Sequence, residues 1–69
     1  KFLGEKMLEN VDFDTAKLIV ELGPGTGVFT DLIIDRMRPD AKLLAFELND
    51  AFHTSLNARI KDPRVEMLL

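Results

Sequence analysis

The chain has 69 residues, 46% of them hydrophobic and 30% charged, with nine Lys and Arg against twelve Asp and Glu for a net charge of −3. This composition is that of a packed globular unit, not of a disordered tail or a coiled coil, and it supplies no basic face for a phosphate backbone or an anionic lipid surface. The lack of cysteine excludes disulfides and thiolate metal sites, and with no signal peptide and no apolar run of about 18 residues the expected compartment is the cytoplasm.

Residues 2–9 place Phe2, Leu3, Met7 and Leu8 in a weak helical pattern interrupted by Gly4, which predicts a short helix. Residues 10–15 are rich in Asn and Asp, whose side chains bond nearby backbone, and predict a loop. Asp12 and Asp14 lack the glycine and distal glutamate of a calcium loop and are expected to be solvated. Strand one follows at residues 17–22, and its nearly unbroken apolar character predicts burial on both faces, as in a parallel sheet covered by helices.

That strand empties into Gly23, Gly25 and Gly27, three glycines at every second position. Glycine adopts positive φ at little cost and lets a ligand approach the main chain, and an ordinary turn needs only one. Val28, Phe29, Leu32, Ile33 and Met37 then recur at helical spacing over residues 28–38, with Asp31 near the start and Arg36 and Arg38 at the end complementing the helix dipole. Pro39 and Asp40 stop this helix. A second apolar strand is predicted at residues 42–47. Asp50 is placed to cap a further helix whose Phe52, Leu56 and Ile60 fall at i, i+4 and i+8. The break at Lys61-Asp62-Pro63 leads to a third strand from Arg64 onward. Phe29, Leu32, Ile33, Phe52 and Leu56 are the expected core, and His53, with no second ligand candidate, is expected at the surface with no metal role.

Strand, helix, strand, helix, strand with short links predicts an α/β fold: the N-terminal half of a Rossmann-like doubly wound parallel sheet, spatial order 3-2-1, with right-handed crossovers and flanking helices. Strand one is then an apolar edge that a complete domain would cover, so residues 1–69 are expected to be part of a longer domain.

A loop of this kind, at the positive end of a helix, suits an anion or a polar ligand tail. A phosphate-binding loop would need a Gly-Lys-Ser/Thr ending, and Val28-Phe29 follows Gly27 instead. The dinucleotide fingerprint G-x-G-x-x-G would place its third glycine at residue 28, which is Val28. The pattern present is G-x-G-x-G, with Glu21 just before it.

The run Val20-Glu21-Leu22-Gly23-Pro24-Gly25-Thr26-Gly27 resembles the first motif of class I S-adenosylmethionine-dependent methyltransferases. The resemblance implies that Gly23, Gly25 and Gly27 hold the methionine end of S-adenosylmethionine and that Glu47, at the end of strand two and roughly twenty residues past the last glycine, takes the ribose hydroxyls. Leu48 is then placed to pack on the adenine face. For Glu21, bracing the loop amides and helping to hold the cofactor's amino group stand as equal alternatives.

Together with Val28-Phe29-Thr30, Phe46-Glu47-Leu48-Asn49 and Phe52, the wording is similar to the branch containing bacterial phospholipid N-methyltransferases and ribosomal RNA adenine dimethyltransferases. It implies a lipid amine or an RNA base nitrogen as methyl acceptor. The cofactor would supply the reactivity, leaving the protein to align the reactants, and no residue here is nominated as a catalytic base. The competing enzyme class is a nicotinamide-dependent oxidoreductase, and the competing non-enzymatic one is a remnant that keeps the fold for packing or partner contact.

Overall fold

The computed structural model describes residues 12–69; the helix expected at residues 2–9 lies outside the described residues. The elements follow in the expected order: β1 (Leu18–Leu22), α1 (Val28–Arg36), β2 (Lys42–Phe46), α2 (Asp50–Arg59) and β3 (Val65–Leu68). The three strands are parallel and adjacent in chain order, β1-β2-β3, with Ile19 opposite Leu43 and Leu43 opposite Val65. This is the 3-2-1 arrangement of a partial Rossmann-like sheet.

The helix ends differ slightly from the sequence expectation, for local reasons. α1 stops at Arg36 because Met37 is already extended, at φ −72° and ψ 154°, two residues ahead of Pro39, whose ring bars a helical Arg38. α2 is capped by Asn49, not Asp50: the Asn49 Oδ1 accepts the Phe52 N–H at 3.0 Å. Asn and Asp serve equally well as N-caps, and Asp50 becomes the first helical residue, where its charge still suits the dipole.

The expectation that β1 is buried on both faces is not met. Its burial alternates: Glu21 is buried and Ile19 half-buried, whereas Leu18, Val20 and Leu22 are 59%, 53% and 79% exposed. Crossovers of one hand that step in one direction across a sheet put α1 and α2 on the same side, so among the described residues the face carrying Ile19, Leu43 and Val65 is the covered one and β1 is exposed on the other. The covered face packs Ile33, Met37, Ala41 and Leu43 into a core, with Phe13, Ile19, Ile34 and Val65 against it. Leu43 and Ala45 are fully buried.

Of the five residues expected in the core, Ile33 and Leu56 are buried, Phe29 and Leu32 half-buried, and Phe52 exposed at 39%. Phe52 sits in the first turn of α2, one turn before Leu56, the buried residue of that helix. His53 departs from its expected surface position in the other direction: it is half-buried, with Nε2 3.3 Å from the Met67 carbonyl oxygen of β3. The α2–β3 packing draws it in.

Candidate functional site

The C-terminal ends of β1 and β2 bring together the residues singled out in the sequence. Parallel α/β sheets bind ligands in the crevice at this end, and here a cleft of about 440 Å³ is lined by Leu22, Gly23, Phe46, Glu47 and Leu48, within the usual size of a small-molecule site. Leu48 stands 89% exposed at its rim.

All three loop glycines have positive φ, at 66°, 59° and 90° for Gly23, Gly25 and Gly27, yet their surroundings differ. A Cβ at Gly23 would meet nothing within 4 Å, and one at Gly25 only the Gly23 carbonyl at 4.0 Å. A Cβ at Gly27 would collide with the Arg59 guanidinium and with Leu56 Cδ2 at 2.6 Å. Gly27 therefore lets α2 close against the loop, and Gly23 and Gly25 leave the open space in which a ligand could touch backbone.

The loop is held at four points. The Gly23 N–H donates to the Phe46 carbonyl at 2.8 Å and the Gly27 N–H to that of Pro24 at 2.9 Å. The Gly25 N–H donates to Glu47 Oε1 at 2.7 Å. The Arg59 Nη2 donates to the Thr26 carbonyl at 3.3 Å while its Nη1 pairs with Asp31 at 3.1 Å.

Glu47 is only 6% exposed, and its Oε2 accepts the Asn49 N–H at 2.8 Å. The Asn49 and Gly25 amides hold its carboxyl below the ordinary range, against the opposing effect of burial, so it is a carboxylate at neutral pH.

Glu21 behaves in the opposite way. It is buried beneath the loop, where its Oε1 accepts the Thr30 hydroxyl at 2.5 Å and its Oε2 has no hydrogen-bond partner. Burial pushes its pKa up; the Thr30 bond opposes this, and the negative charges of Asp31 and Glu47 add to it. Neither Glu21 oxygen bonds a loop amide; the Gly25 amide is held by Glu47, and those of Gly23 and Gly27 by backbone carbonyls. An orphaned buried carboxylate oxygen is costly and fits a site that takes a cationic or N–H-bearing ligand group.

Two residues of this arrangement escaped the sequence reading. Thr30 lies on the same stripe as Ile33 and Met37, at i, i+3 and i+7, and is fully exposed to no solvent at all; a polar residue on that stripe was the available signal. Arg59 bonds partners 28 and 33 residues away, and no local pattern marks it. Among the described residues, no group of three or more His, Asp or Glu could hold a metal ion, and no helix is long and apolar enough to cross a membrane.

Among curated proteins, the chain is similar to the ornithine lipid N-methyltransferase of Singulisphaera acidiphila, with 34% identity over 58 residues. The match takes in 84% of this chain and 30% of that relative's length. No family model matches the chain. No solved structure matches it.

Proposed function

We propose that this chain is the cofactor-binding part of a class I S-adenosylmethionine-dependent methyltransferase, of the branch that methylates lipid amines. The observation that carries the reading is the pairing of an open, positive-φ glycine loop with the ionised Glu47 at the end of β2, both on one cleft. The similarity to a methyltransferase supports the reaction class. That relative's name favours a lipid amine over RNA as acceptor.

The residues present fit the cofactor. Glu47 accepts hydrogen bonds in the number and charge state that suit the two ribose hydroxyls. Gly23 and Gly25 leave room for the methionine end against the main chain, and the unpartnered Glu21 Oε2 suits its ammonium group. Leu22, Phe46 and Leu48 offer apolar surface to the adenine ring.

When bound, the cofactor supplies an electrophilic methyl group on a sulfonium, so the chain's own task is to bind and orient. Glu47 fixes the ribose, the loop fixes the amino acid end, and the two anchors together set where the sulfur lies. A dinucleotide reading is disfavoured because Val28 stands where the third glycine belongs.

Calorimetric titration of the full-length protein with S-adenosylhomocysteine and with NAD separates the two. Saturable binding of S-adenosylhomocysteine without binding of NAD is expected; saturable binding of NAD alone would contradict the assignment.

A further inference from the structure

Glu47 lines the cleft and also holds the loop that forms its wall. Its Oε1 takes the Gly25 amide at 2.7 Å and its Oε2 the Asn49 amide at 2.8 Å, so one side chain ties the glycine loop to the start of α2. An ionised carboxylate offers about four lone-pair sites. Two are used by these amides and the Leu48 amide also acts on the carboxylate, which leaves acceptor capacity for a hydroxyl of a vicinal diol.

The loop needs this tie. Gly25 sits at φ 59°, and a Cβ built on it would meet only the Gly23 carbonyl, at 4.0 Å, so no side chain packs on that side of the residue and the Glu47 bond is the contact that orients its N–H. Of the other three points that hold the loop, those at Gly27 and Thr26 use no group that lines the cleft, and the one at Gly23 is a backbone bond to Phe46, so Glu47 is the one side chain of the cleft that holds the loop.

We propose that Glu47 is a shared anchor: its carboxylate orients the Gly25 peptide and binds the ribose diol at the same time, so that the loop end and the ribose end of the site are coupled through one residue. This rests on the cofactor reading above and goes beyond it, because a residue that served the ribose alone would leave the loop unaffected. Glu47 is then a positioning residue for the amino acid end of the ligand as well as a contact for the sugar.

The test combines two measurements on the full-length protein. In the absence of ligand, amide NMR of a Glu47→Ala variant is expected to show the Gly25 N–H shifted and exchanging with solvent about tenfold faster or more. In calorimetry, Glu47→Ala is expected to weaken a 2′,3′-dideoxy analogue of S-adenosylhomocysteine by about tenfold and the diol-bearing ligand by more, about a hundredfold.

A Glu47→Gln variant guards against misfolding of the alanine protein. The amide side chain has only one acceptor oxygen, so either the Gly25 or the Asn49 resonance should move and the other stay. A Gly25 amide unchanged in Glu47→Ala, Gly25 and Asn49 amides both unchanged in Glu47→Gln, or undiminished binding of the dideoxy analogue to Glu47→Ala would overturn the shared-anchor proposal while leaving the cofactor reading intact. Failure of the unaltered protein to bind S-adenosylhomocysteine would overturn the cofactor reading and the coupling with it.

Discussion

Gly23 and Gly27 share a left-handed backbone for different reasons, and single substitutions should separate them. Gly27→Ala adds a methyl group where Arg59 and Leu56 already stand, on top of the strain of φ 90°. The expected loss is at least about 2 kcal/mol of stability. Gly23→Ala meets open space, so only the backbone strain of about 1–2 kcal/mol applies. In ligand affinity the order should invert, since a methyl at Gly23 enters the cleft. Denaturant unfolding and calorimetry on the two variants check both orders, and a Gly23 variant less stable than the Gly27 variant would refute the division of roles. The glycine spacing was legible in the sequence, but this division was not, because it depends on residues about thirty positions downstream.

At the scale of elements, Arg64 joins the start of β3 to the end of α1. Its guanidinium donates to the carbonyl of Ile34 in the last turn of α1 at 3.3 Å and to those of Met37 and Arg38 just beyond it at 3.3 and 3.2 Å, satisfying one acceptor that the helix C-terminus leaves open and meeting the negative end of its dipole. Asp62 orients it through a bond of 2.7 Å, and the Arg64 side chain and backbone together hold the Asp62 carboxyl down to about 2.

A folded-state value below the ordinary one means that the unfolded chain binds the proton first as pH falls. The stabilisation is therefore complete above the usual aspartate range and is lost as pH drops toward about 2. Unfolding followed between pH 5 and pH 2 should show this acid loss, and Asp62→Asn should flatten that part of the profile. An unaltered profile in the variant would rule the pair out as its source. The elements themselves were readable to within one or two residues from apolar spacing and from Pro39 and Pro63. Asn49 was the exception, since Asn49 and Asp50 are adjacent and equally good caps, and only the Phe52 amide distinguishes them.

For the molecule as a whole, strand order followed from the short crossovers, but the open face did not. Leu18, Val20 and Leu22 alternate with Ile19 and Glu21 in an almost wholly apolar run, and such a run has the same pattern whether one or both faces are covered. What decides the matter is that both helices lie on one side, a property of topology that no single strand carries. The candidate site was legible where its geometry depends on chain-local pattern, in the positive φ of the glycine loop and the position of Glu47 at the end of β2. It was not legible where it depends on contacts between elements distant in sequence: Thr30 of α1 on Glu21, Arg59 of α2 on Thr26, and the Gly25 bond that makes Glu47 part of the loop.

The central claim is that the loop and Glu47 together form the S-adenosylmethionine site. A crystal structure of the full-length protein with S-adenosylhomocysteine tests it most directly. The account predicts the ribose hydroxyls within hydrogen-bond distance of Glu47 and the amino acid end against Gly23 and Gly25, with the Gly25–Glu47 bond retained. Ligand bound elsewhere, or bound here with Glu47 turned away from the ribose, would contradict it.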